Sequence, residues 1–180
     1  MKDINEDVLR VLITEEQIEK RCKELASQIE ADYENKNPLL LCLINGSLPF
    51  LGSLIKNIRI PMEYDCIRVH SYQGQSSTGN VVVENYNFDK LKGRHIILIE
   101  DIIDTGLTLH TLKQMLHSIP IGSVEICSLL NKPGLNQIDV GAKYIGFNIP
   151  SEFVIGFGLD YNEQYRNLPY IGIMNPKAIK

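Results

Sequence analysis

Apolar residues fall in runs along much of this chain, and polar turns separate them. The runs at 39–44, 95–99 and 124–130 consist mainly of Leu, Ile and Val. Continuous rather than alternating apolar character is typical of strands that are buried on both faces, as in a parallel sheet. Two further strands are predicted at 62–71 and 81–83, the second from its β-branched residues.

Helical patterns alternate with these strands. Residues 14–17 form a capping box, and apolar residues then recur at helical spacing until the helix must end before Pro38. Further helices are predicted at 48–58 and 107–118. The alternation of strand and helix predicts an α/β fold, with an open, doubly wound and mainly parallel sheet flanked by helices.

Length and composition favour one folded domain, 1–180. The chain has 180 residues, of which 44% are hydrophobic, so a sizeable core can be buried. Beyond residue 145 Gly, Tyr and Asn become more frequent, which predicts a small lobe beside the sheet. The formal net charge of −4 gives no electrostatic case for nucleic acid as a partner.

The cysteines lie far apart in the sequence, and none forms a CxxC pair. We expect reduced and mostly buried thiols rather than a metal site or a disulfide framework. No apolar run is long enough to predict a signal segment or a membrane span, so the sequence predicts a cytoplasmic protein without a membrane partner.

Three carboxylates follow the most apolar strand, and they are the strongest chemical signal in the chain. Glu100 and Asp101 come directly after the run at 95–99, and Asp104 follows three residues later. Ligands of doubly wound sheets bind beyond the carboxyl ends of the strands. These acids suit a sugar-hydroxyl contact, a general base or a shell around Mg²⁺. From spacing alone, solvated acids at a strand end remain the alternative.

The turn after the carboxylates suits a phosphate. Gly106 allows a close approach of the backbone, and the hydroxyls of Thr105 and Thr108 can donate hydrogen bonds. Free N–H groups at the start of the following helix also favour an anion. An ordinary helix cap is the alternative at this point.

The segment Glu-Asp-Ile-Ile-Asp-Thr-Gly-Leu-Thr at 100–108 closely resembles the phosphoribosyl-diphosphate signature of type I phosphoribosyltransferases, in the form found in their hypoxanthine–guanine branch. Further segments match this family in the same order: a small loop at 45–47, the start of a lid at 71–72, a lysine-bearing segment at 129–132, and a C-terminal signature at 153–156 and 159–166.

The resemblance implies a type I phosphoribosyltransferase fold with a core at about 38–145. It also implies a hood lobe, made of N-terminal residues and about 146–175, and a mobile lid at about 71–82. The implied activity is purine salvage: transfer of the 5-phosphoribosyl group from phosphoribosyl diphosphate to N9 of hypoxanthine and/or guanine, giving IMP or GMP and pyrophosphate. The implied cofactor is Mg²⁺, and the implied assembly is a homodimer or homotetramer.

The resemblance also assigns residues to phosphoribosyl diphosphate. Glu100 and Asp101 would hold the ribose hydroxyls and lie around Mg²⁺, and Asp160 would hold a second Mg²⁺ through water. The remaining contacts would come from the turn (Thr105, Gly106, Leu107 and Thr108), the small loop (Asn45, Gly46 and Ser47), Arg166, and the lid residues Ser71 and Tyr72. A plain surface arginine is the alternative for Arg166, and a mobile linker is the alternative for the lid.

The same comparison assigns the base site. Lys132 can donate to a 6-oxo group but cannot accept from a 6-amino group, which favours hypoxanthine or guanine over adenine. Phe153 would stack on the base, and Val154 would contact its 2-position through the backbone, beside Asp160. Asp104 would act as general base or acid at N7. A surface lysine, a core aromatic and a helix-capping aspartate are the respective alternatives for Lys132, Phe153 and Asp104.

Two positions depart from the family pattern. Asn45 stands where the small loop usually carries Lys or Arg, and Leu107 stands where the signature often has Lys. Both changes remove a positive charge near a polyanionic substrate. We expect weaker binding of phosphoribosyl diphosphate or a greater dependence on Mg²⁺, rather than loss of activity.

Other classes of protein compete with this assignment. One is a type I transferase that acts on adenine, xanthine or orotate. A second is a non-catalytic regulator that senses phosphoribosyl diphosphate and binds RNA or DNA. A third is a doubly wound nucleotide-binding domain of another function, although the chain has neither GxxxxGK[ST] nor GxGxxG after a strand. The choice among the 6-oxopurines stays open.

Overall fold

A computed structural model describes residues 4–71 and 81–179. The strands are β1 (Val8–Ile13), β2 (Leu39–Ile44), β3 (Glu63–Ser71), β4 (Val81–Val83), β5 (His95–Ile103), β6 (Ser123–Asn131), β7 (Tyr144–Asn148), β8 (Val154–Ile155) and β9 (Ile171–Met174). The helices are α1 (Glu15–Tyr33), α2 (Leu48–Ile55) and α3 (Leu107–His117), with short 3₁₀ helices at Ile4–Asp7, Phe88–Leu91 and Pro176–Ala178.

The central sheet has the strand order β4-β3-β2-β5-β6-β7. Its neighbouring strands run parallel, except that β4 returns antiparallel to β3. Helices cover both faces of this sheet, which confirms the predicted α/β fold with a mainly parallel sheet. The chain leaves β2 toward β3 on one side and later enters β5 on the other, so the switch in strand order lies between β2 and β5.

The apolar runs face both ways, as their continuous character predicted. Leu40 and Cys42 of β2 pack in one core with α1 and α2, whereas Leu39 and Leu41 pack in a second core with α3. The same division separates alternate residues of β5 from Ile96 to Ile99, and residues of β6 also contribute to both cores. Burial on both faces explains why these strands lack the polar alternation of a half-exposed sheet.

A small antiparallel sheet with the order β1-β9-β8 joins the two ends of the chain. Val8 pairs with Met174 and Ile13 with Ile171, while Val154 of β8 pairs with Ile173. This sheet packs against the core through Ile13, Ile171 and Ile173. It therefore carries the C-terminal segment beside the edge of the central sheet.

Helix boundaries follow local chemistry. α1 begins at the predicted capping box, in which Thr14 Oγ1 accepts from Gln17 N (3.3 Å) and Gln17 Oε1 accepts from Thr14 N (2.8 Å). The prediction that α2 reaches residue 58 was wrong, because the chain leaves the helix after Ile55 through tight turns, with Asn57 N donating to Leu54 O. No helix in 4–71 or 81–179 is both long enough and apolar enough to cross a membrane.

Candidate active site

The site forms where β2 and β5 separate. Their pairing ends at Cys42 and Ile99, whereas β5 stays paired with β6 as far as Ile103. Glu100 and Asp101 therefore lie within β5, and not beyond its end as the predicted strand 95–99 implied. The strand is longer because its last residues still pair with β6. Both carboxylates stand next to the gap that opens toward β2.

The loop after β2 fills part of this gap. Gly46 lies so close to Asp101 that a Cβ added to it would come within 1.7 Å of Asp101 Oδ2. Ser47 is fully buried, and its hydroxyl donates to Glu100 Oε1 at 3.1 Å. The predicted small loop thus touches both acids, and glycine is required where the loop meets Asp101.

The two acids are held in an environment that disfavours their charge. Burial, followed by the negative charge of Asp101, raises the pKa of Glu100 well above its ordinary value of 4.5. Burial also raises the pKa of Asp101 above its ordinary value of 3.8. Raised pKa values in a cleft, caused by burial and a like charge, are typical of functional sites. Hydroxyl donors or a cation would stabilise the ionised pair.

Asp104 faces a buried lysine. Lys132 Nζ lies 3.1 Å from Asp104 Oδ1, and only 7% of Lys132 is exposed to solvent, although about half of the Asp104 side chain is exposed. The surface alternative for Lys132 is therefore wrong. The capping alternative for Asp104 is also wrong, since α3 begins after Gly106 without a side-chain cap. Asp104 is free of a helix-capping role and is paired with a cation.

The turn at 104–108 is built around Gly106. This residue has φ of 80°, and a Cβ would lie 2.6 Å from Ile138 O, so both conformation and space require glycine. Thr105 Oγ1 accepts from Leu107 N at 3.4 Å. A cavity of about 130 Å³ lies over this turn and is lined by Glu100, by Thr108 and by the residues between Ile102 and Gly106. Backbone N–H groups at the start of α3 suit an anion there.

A second cavity of about 270 Å³ lies next to the first, since Ile102 and Asp104 line both. Its walls come from distant parts of the chain, namely Asp101 and Asp104 near the end of β5, Lys132 after β6, and Phe153, Val154 and Asp160 around β8. Phe153 is 46% exposed and meets the ring of Tyr161 edge to face at 5.8 Å. The core-aromatic alternative for Phe153 is therefore wrong.

Arg166 lies in the C-terminal segment, beside the loop that follows β2. Its Nη1 donates to Gly158 O at 2.8 Å, while Nη2 pairs with Asp160 Oδ1 at 2.8 Å and Glu163 Oε2 at 3.1 Å. It is partly buried and fixed, and not a freely solvated arginine. A third cavity of about 380 Å³ lies beside it, and Asn45 lines the same cavity.

The structure thus brings together most of the predicted site residues, which lie on four separated segments of the chain. Tyr72 and most of the predicted lid fall outside the described residues, and Ser71 is described only as the last residue of β3. Leu107 opens α3, with its backbone in the turn.

Sequence analysis missed two supporting residues. Gly158, with φ of 99°, packs its Cα against Gly46 O, where a Cβ would come within 1.8 Å. With its amide oriented to satisfy its neighbours, Asn136 donates to the backbone carbonyls of Lys132 (3.0 Å) and Asp104 (2.6 Å). The Gly-Phe-Gly triplet at 156–158 was a usable signal for a tight approach. Nothing in the sequence around Asn136 indicated its contacts.

A mainly parallel sheet with paired acids, a glycine turn at a helix start and two adjoining cavities at the carboxyl ends of its strands is typical of enzymes that bind a phosphorylated substrate. Comparison with known proteins gives the family. A model of the phosphoribosyl transferase domain matches residues 12–162. The hypoxanthine-guanine phosphoribosyltransferase of Streptococcus pneumoniae is 41% identical over 176 residues, covering 97% of this chain and 98% of that protein.

Two further relatives agree. The enzyme of the same name from Lactococcus lactis is 44% identical over 178 residues, covering 98% of this chain and 97% of that protein. A crystal structure of a hypoxanthine phosphoribosyltransferase from Staphylococcus aureus matches with a TM-score of 0.94 and 41% identity, covering 100% of this chain and 99% of that one. The chain belongs to the phosphoribosyltransferase family, in its hypoxanthine–guanine branch.

Proposed function

We propose that this protein is a magnesium-dependent purine salvage enzyme that transfers the 5-phosphoribosyl group from phosphoribosyl diphosphate to N9 of hypoxanthine or guanine. The products are IMP or GMP and pyrophosphate. The observation that carries the proposal is the cavity of about 270 Å³ in which Asp104, Lys132 and Phe153 meet beside Asp101. That cavity adjoins the phosphate-sized turn, as a nucleotide product requires.

The sugar lies between the two cavities. The bond from C1′ to the pyrophosphate oxygen breaks, its electrons leave with pyrophosphate, and the bond from C1′ to N9 forms. Glu100 and Asp101 accept hydrogen bonds from the ribose hydroxyls, and their negative charge stabilises the positive charge that develops on the ribose. The Gly46 loop and the turn at 104–108 orient the substrate, and this orientation supplies the rest of the rate enhancement.

Asp104 carries the proton step. As N9 attacks, the proton on N7 moves to the carboxylate of Asp104, and in the reverse direction Asp104 returns it. Lys132 Nζ, 3.1 Å from Asp104 Oδ1, holds that carboxylate in place beside the base cavity. Because Lys132 can only donate, it also selects a base with a 6-oxo group, and Phe153 provides a face on which the ring stacks.

The donor set suits Mg²⁺. Glu100, Asp101 and Asp160 offer carboxylate oxygens, and Mg²⁺ is usually held by one or two carboxylates together with substrate oxygens. Within the described ranges, no group of three or more His, Cys, Asp or Glu side chains is placed to hold a metal ion. When bound with substrate, the ion neutralises charge on the leaving pyrophosphate. Arg166 and the loop at 45–47 contact that pyrophosphate.

Three further assignments belong to the same proposal. The chain is one domain, with its core at about 38–145 and its hood from the N-terminal residues and about 146–175. The lid predicted at about 71–82, with Ser71 and Tyr72, would exclude water from the reacting sugar, and its residues 72–80 lie outside those that the structure describes. The enzyme is a homodimer or homotetramer.

Initial rates of nucleotide formation test the activity. Phosphoribosyl diphosphate and Mg²⁺ are supplied with hypoxanthine, guanine, xanthine, adenine or orotate in separate reactions. We expect turnover with hypoxanthine or guanine that a chelator abolishes. Folded protein that binds phosphoribosyl diphosphate but turns over none of the bases would instead indicate a regulator.

A further inference from the structure

The small loop after β2 lacks a cation of its own, but one reaches it from the neighbouring strand. Arg68 of β3 is level with Ile44, the last residue of β2, in the parallel register. Its Nη2 donates to Asn45 Oδ1 at 3.4 Å. The guanidinium of Arg68 therefore stands beside the position where the family usually carries a lysine or arginine.

Among the residues that the structure describes, Arg68 is held only weakly by its second partner. Its side chain is 44% exposed, and its ion pair with Glu84 is long, at 3.6 Å between Nε and Oε2. The other oxygen of Glu84 lies 2.6 Å from His70 Nε2, so His70 is the closer partner. Exposed ion pairs of this kind contribute little, which leaves the guanidinium able to turn toward a stronger anion.

The adjoining cavity needs that charge. Asn45 and Arg166 line the cavity of about 380 Å³ beside the loop. The Arg166 guanidinium already faces two carboxylates, those of Asp160 and Glu163. An anion with several charges would thus meet a nearly neutralised arginine and an uncharged loop, unless another cation joined them.

We propose that Arg68 is a pyrophosphate-binding residue, which supplies from β3 the positive charge that Asn45 does not. A guanidinium presents paired donors that match phosphate oxygens, and charge-assisted bonds of this kind are among the stronger ones in proteins. The proposal rests on the proposed function, because it names a further residue for the same substrate.

The test is Arg68→Met, which keeps the aliphatic stem and removes the charge. We expect the KM for phosphoribosyl diphosphate to rise about tenfold and the inhibition constant of pyrophosphate to rise in parallel. The KM for hypoxanthine should stay within twofold. Lys90→Met is the matched control: it removes one charge from an exposed ion pair with Asp65, near the start of β3, and should change neither constant.

The second variant restores the charge on the loop. Asn45→Lys in the Arg68→Met background should return the KM for phosphoribosyl diphosphate to within about threefold of the original. If Arg68→Met fails to fold, as judged by thermal unfolding, Arg68→Gln takes its place. Unchanged constants for phosphoribosyl diphosphate and pyrophosphate in a folded Arg68 variant would overturn the proposal, as would an equal rise in the KM for hypoxanthine.

Calorimetric titration with pyrophosphate and Mg²⁺ separates this inference from the activity itself. Binding that weakens about tenfold in Arg68→Met supports the role of Arg68 even if the original protein turns over no base. Turnover together with unchanged pyrophosphate binding in Arg68→Met would leave the proposed function standing and remove Arg68 from it.

Discussion

The central sheet and the segment around β8 contribute different surfaces of the site. The central sheet carries Glu100 and Asp101 in β5 and the turn before α3, which are assigned to the sugar and phosphates, and also Asp104 and Lys132, which are assigned to the polar edge of the base. From the segment around β8 come Phe153 and Val154, assigned to the base. Glu100 and Asp101 of the first set lie on a strand buried on both faces, whereas Phe153 of the second set is exposed just before the buried two-residue strand β8.

This difference matches what the sugar and the base each require of the protein. Charged groups that hold a reacting sugar need fixed positions, and a packed parallel sheet supplies them. A base enters and leaves, so its stacking surface must be accessible, and Phe153 is 46% exposed. The two regions meet by direct backbone contact, where Gly158 packs against Gly46 O. Changes to the acids of β5 should therefore act on the constants for phosphoribosyl diphosphate, and changes to Phe153 on those for the base. A change where Gly46 meets Gly158 should act on both.

Asp104→Asn gives the largest expected effect. Asparagine keeps the shape but cannot accept the N7 proton, so kcat should fall by about 10²–10⁴-fold. The midpoint of thermal unfolding should fall modestly, because the buried Lys132 loses its charged partner and keeps only an amide oxygen to donate to. Asp89→Asn, which alters an exposed aspartate paired with Lys92, is the control and should keep full activity. Near-normal turnover from folded Asp104→Asn would contradict the assignment.

Gly46→Ala disturbs the loop at which the two regions meet, through its close approach to Asp101. The added Cβ would lie 1.7 Å from Asp101 Oδ2, so the loop or the carboxylate must move by more than an ångström. A displacement of this size in a reacting site can cost about 10²-fold, and we expect that loss in kcat/KM for phosphoribosyl diphosphate.

Gly52→Ala in α2 is the matched control for Gly46→Ala. A Cβ at Gly52 meets nothing within 4 Å, and alanine favours a helix by roughly 0.5–1 kcal/mol over glycine. This variant should be at least as stable as the original protein and fully active. Equal losses in the two glycine variants would show that the close approach of Gly46 to Asp101 has no part in activity.

Phe153→Ala tests the other side alone. Stacking of a base on an aromatic ring contributes ~1–3 kcal/mol, so the KM for hypoxanthine should rise at least fivefold. The KM for phosphoribosyl diphosphate should stay within twofold, since Phe153 lines only the base cavity among those described. Phe153→Tyr keeps the ring and should behave as the original. Equal rises in both constants would mean that the two regions do not divide the substrates.

The two regions also differ in how much could be predicted from sequence. The strands of the central sheet were predictable because burial on both faces leaves a continuous apolar signal, as at 39–44. β1 was not predicted. Leu9 and Val11 are 57% and 45% exposed, so the apolar residues of β1 do not show the alternation of a strand with one buried face. Its partner β9 lies more than a hundred residues along the chain, and no local pattern reports such a pairing.

The site shows the same limit. The run of acids and the Thr-Gly turn at 100–108 could be recognised locally, because one strand and one helix carry them. The pairing of Lys132 with Asp104 joins the ends of two adjacent strands, and spacing alone left both residues with ordinary structural roles. Only resemblance to a family connected them. Asn136, which bonds to the backbone of both, had no signal of either kind.

The smallest expected effect concerns the stability of the central region. A carboxyl whose pKa is raised by folding keeps its proton in the folded state at pH values where the unfolded chain has lost it. The free energy of unfolding therefore falls as the pH rises from about the ordinary value of 4.5 toward the raised pKa of Glu100, and the loss is complete above that pKa. Burial and the Asp101 charge cause this loss.

Glu100→Gln removes the ionisation and should remove the loss. At pH 8 we expect the variant without ligand to be more stable than the original protein by ~1 kcal/mol, a size common for stabilising changes at functional sites. Near pH 4 the difference should vanish, because Glu100 is then protonated in both states. Urea unfolding at the two pH values measures it, while activity should be lost at both.

Glu63→Gln is the control of opposite sign, because hydrogen bonds from Arg94 and Asn37 lower the pKa of Glu63. Its ionised form favours the folded state, so this variant should gain nothing at pH 8. If Glu100→Gln were instead less stable than the original at pH 8, the ionised Glu100 would itself support the fold. The acids of the central sheet would then be structural groups, and the division of tasks between the two sheets would lose its physical basis.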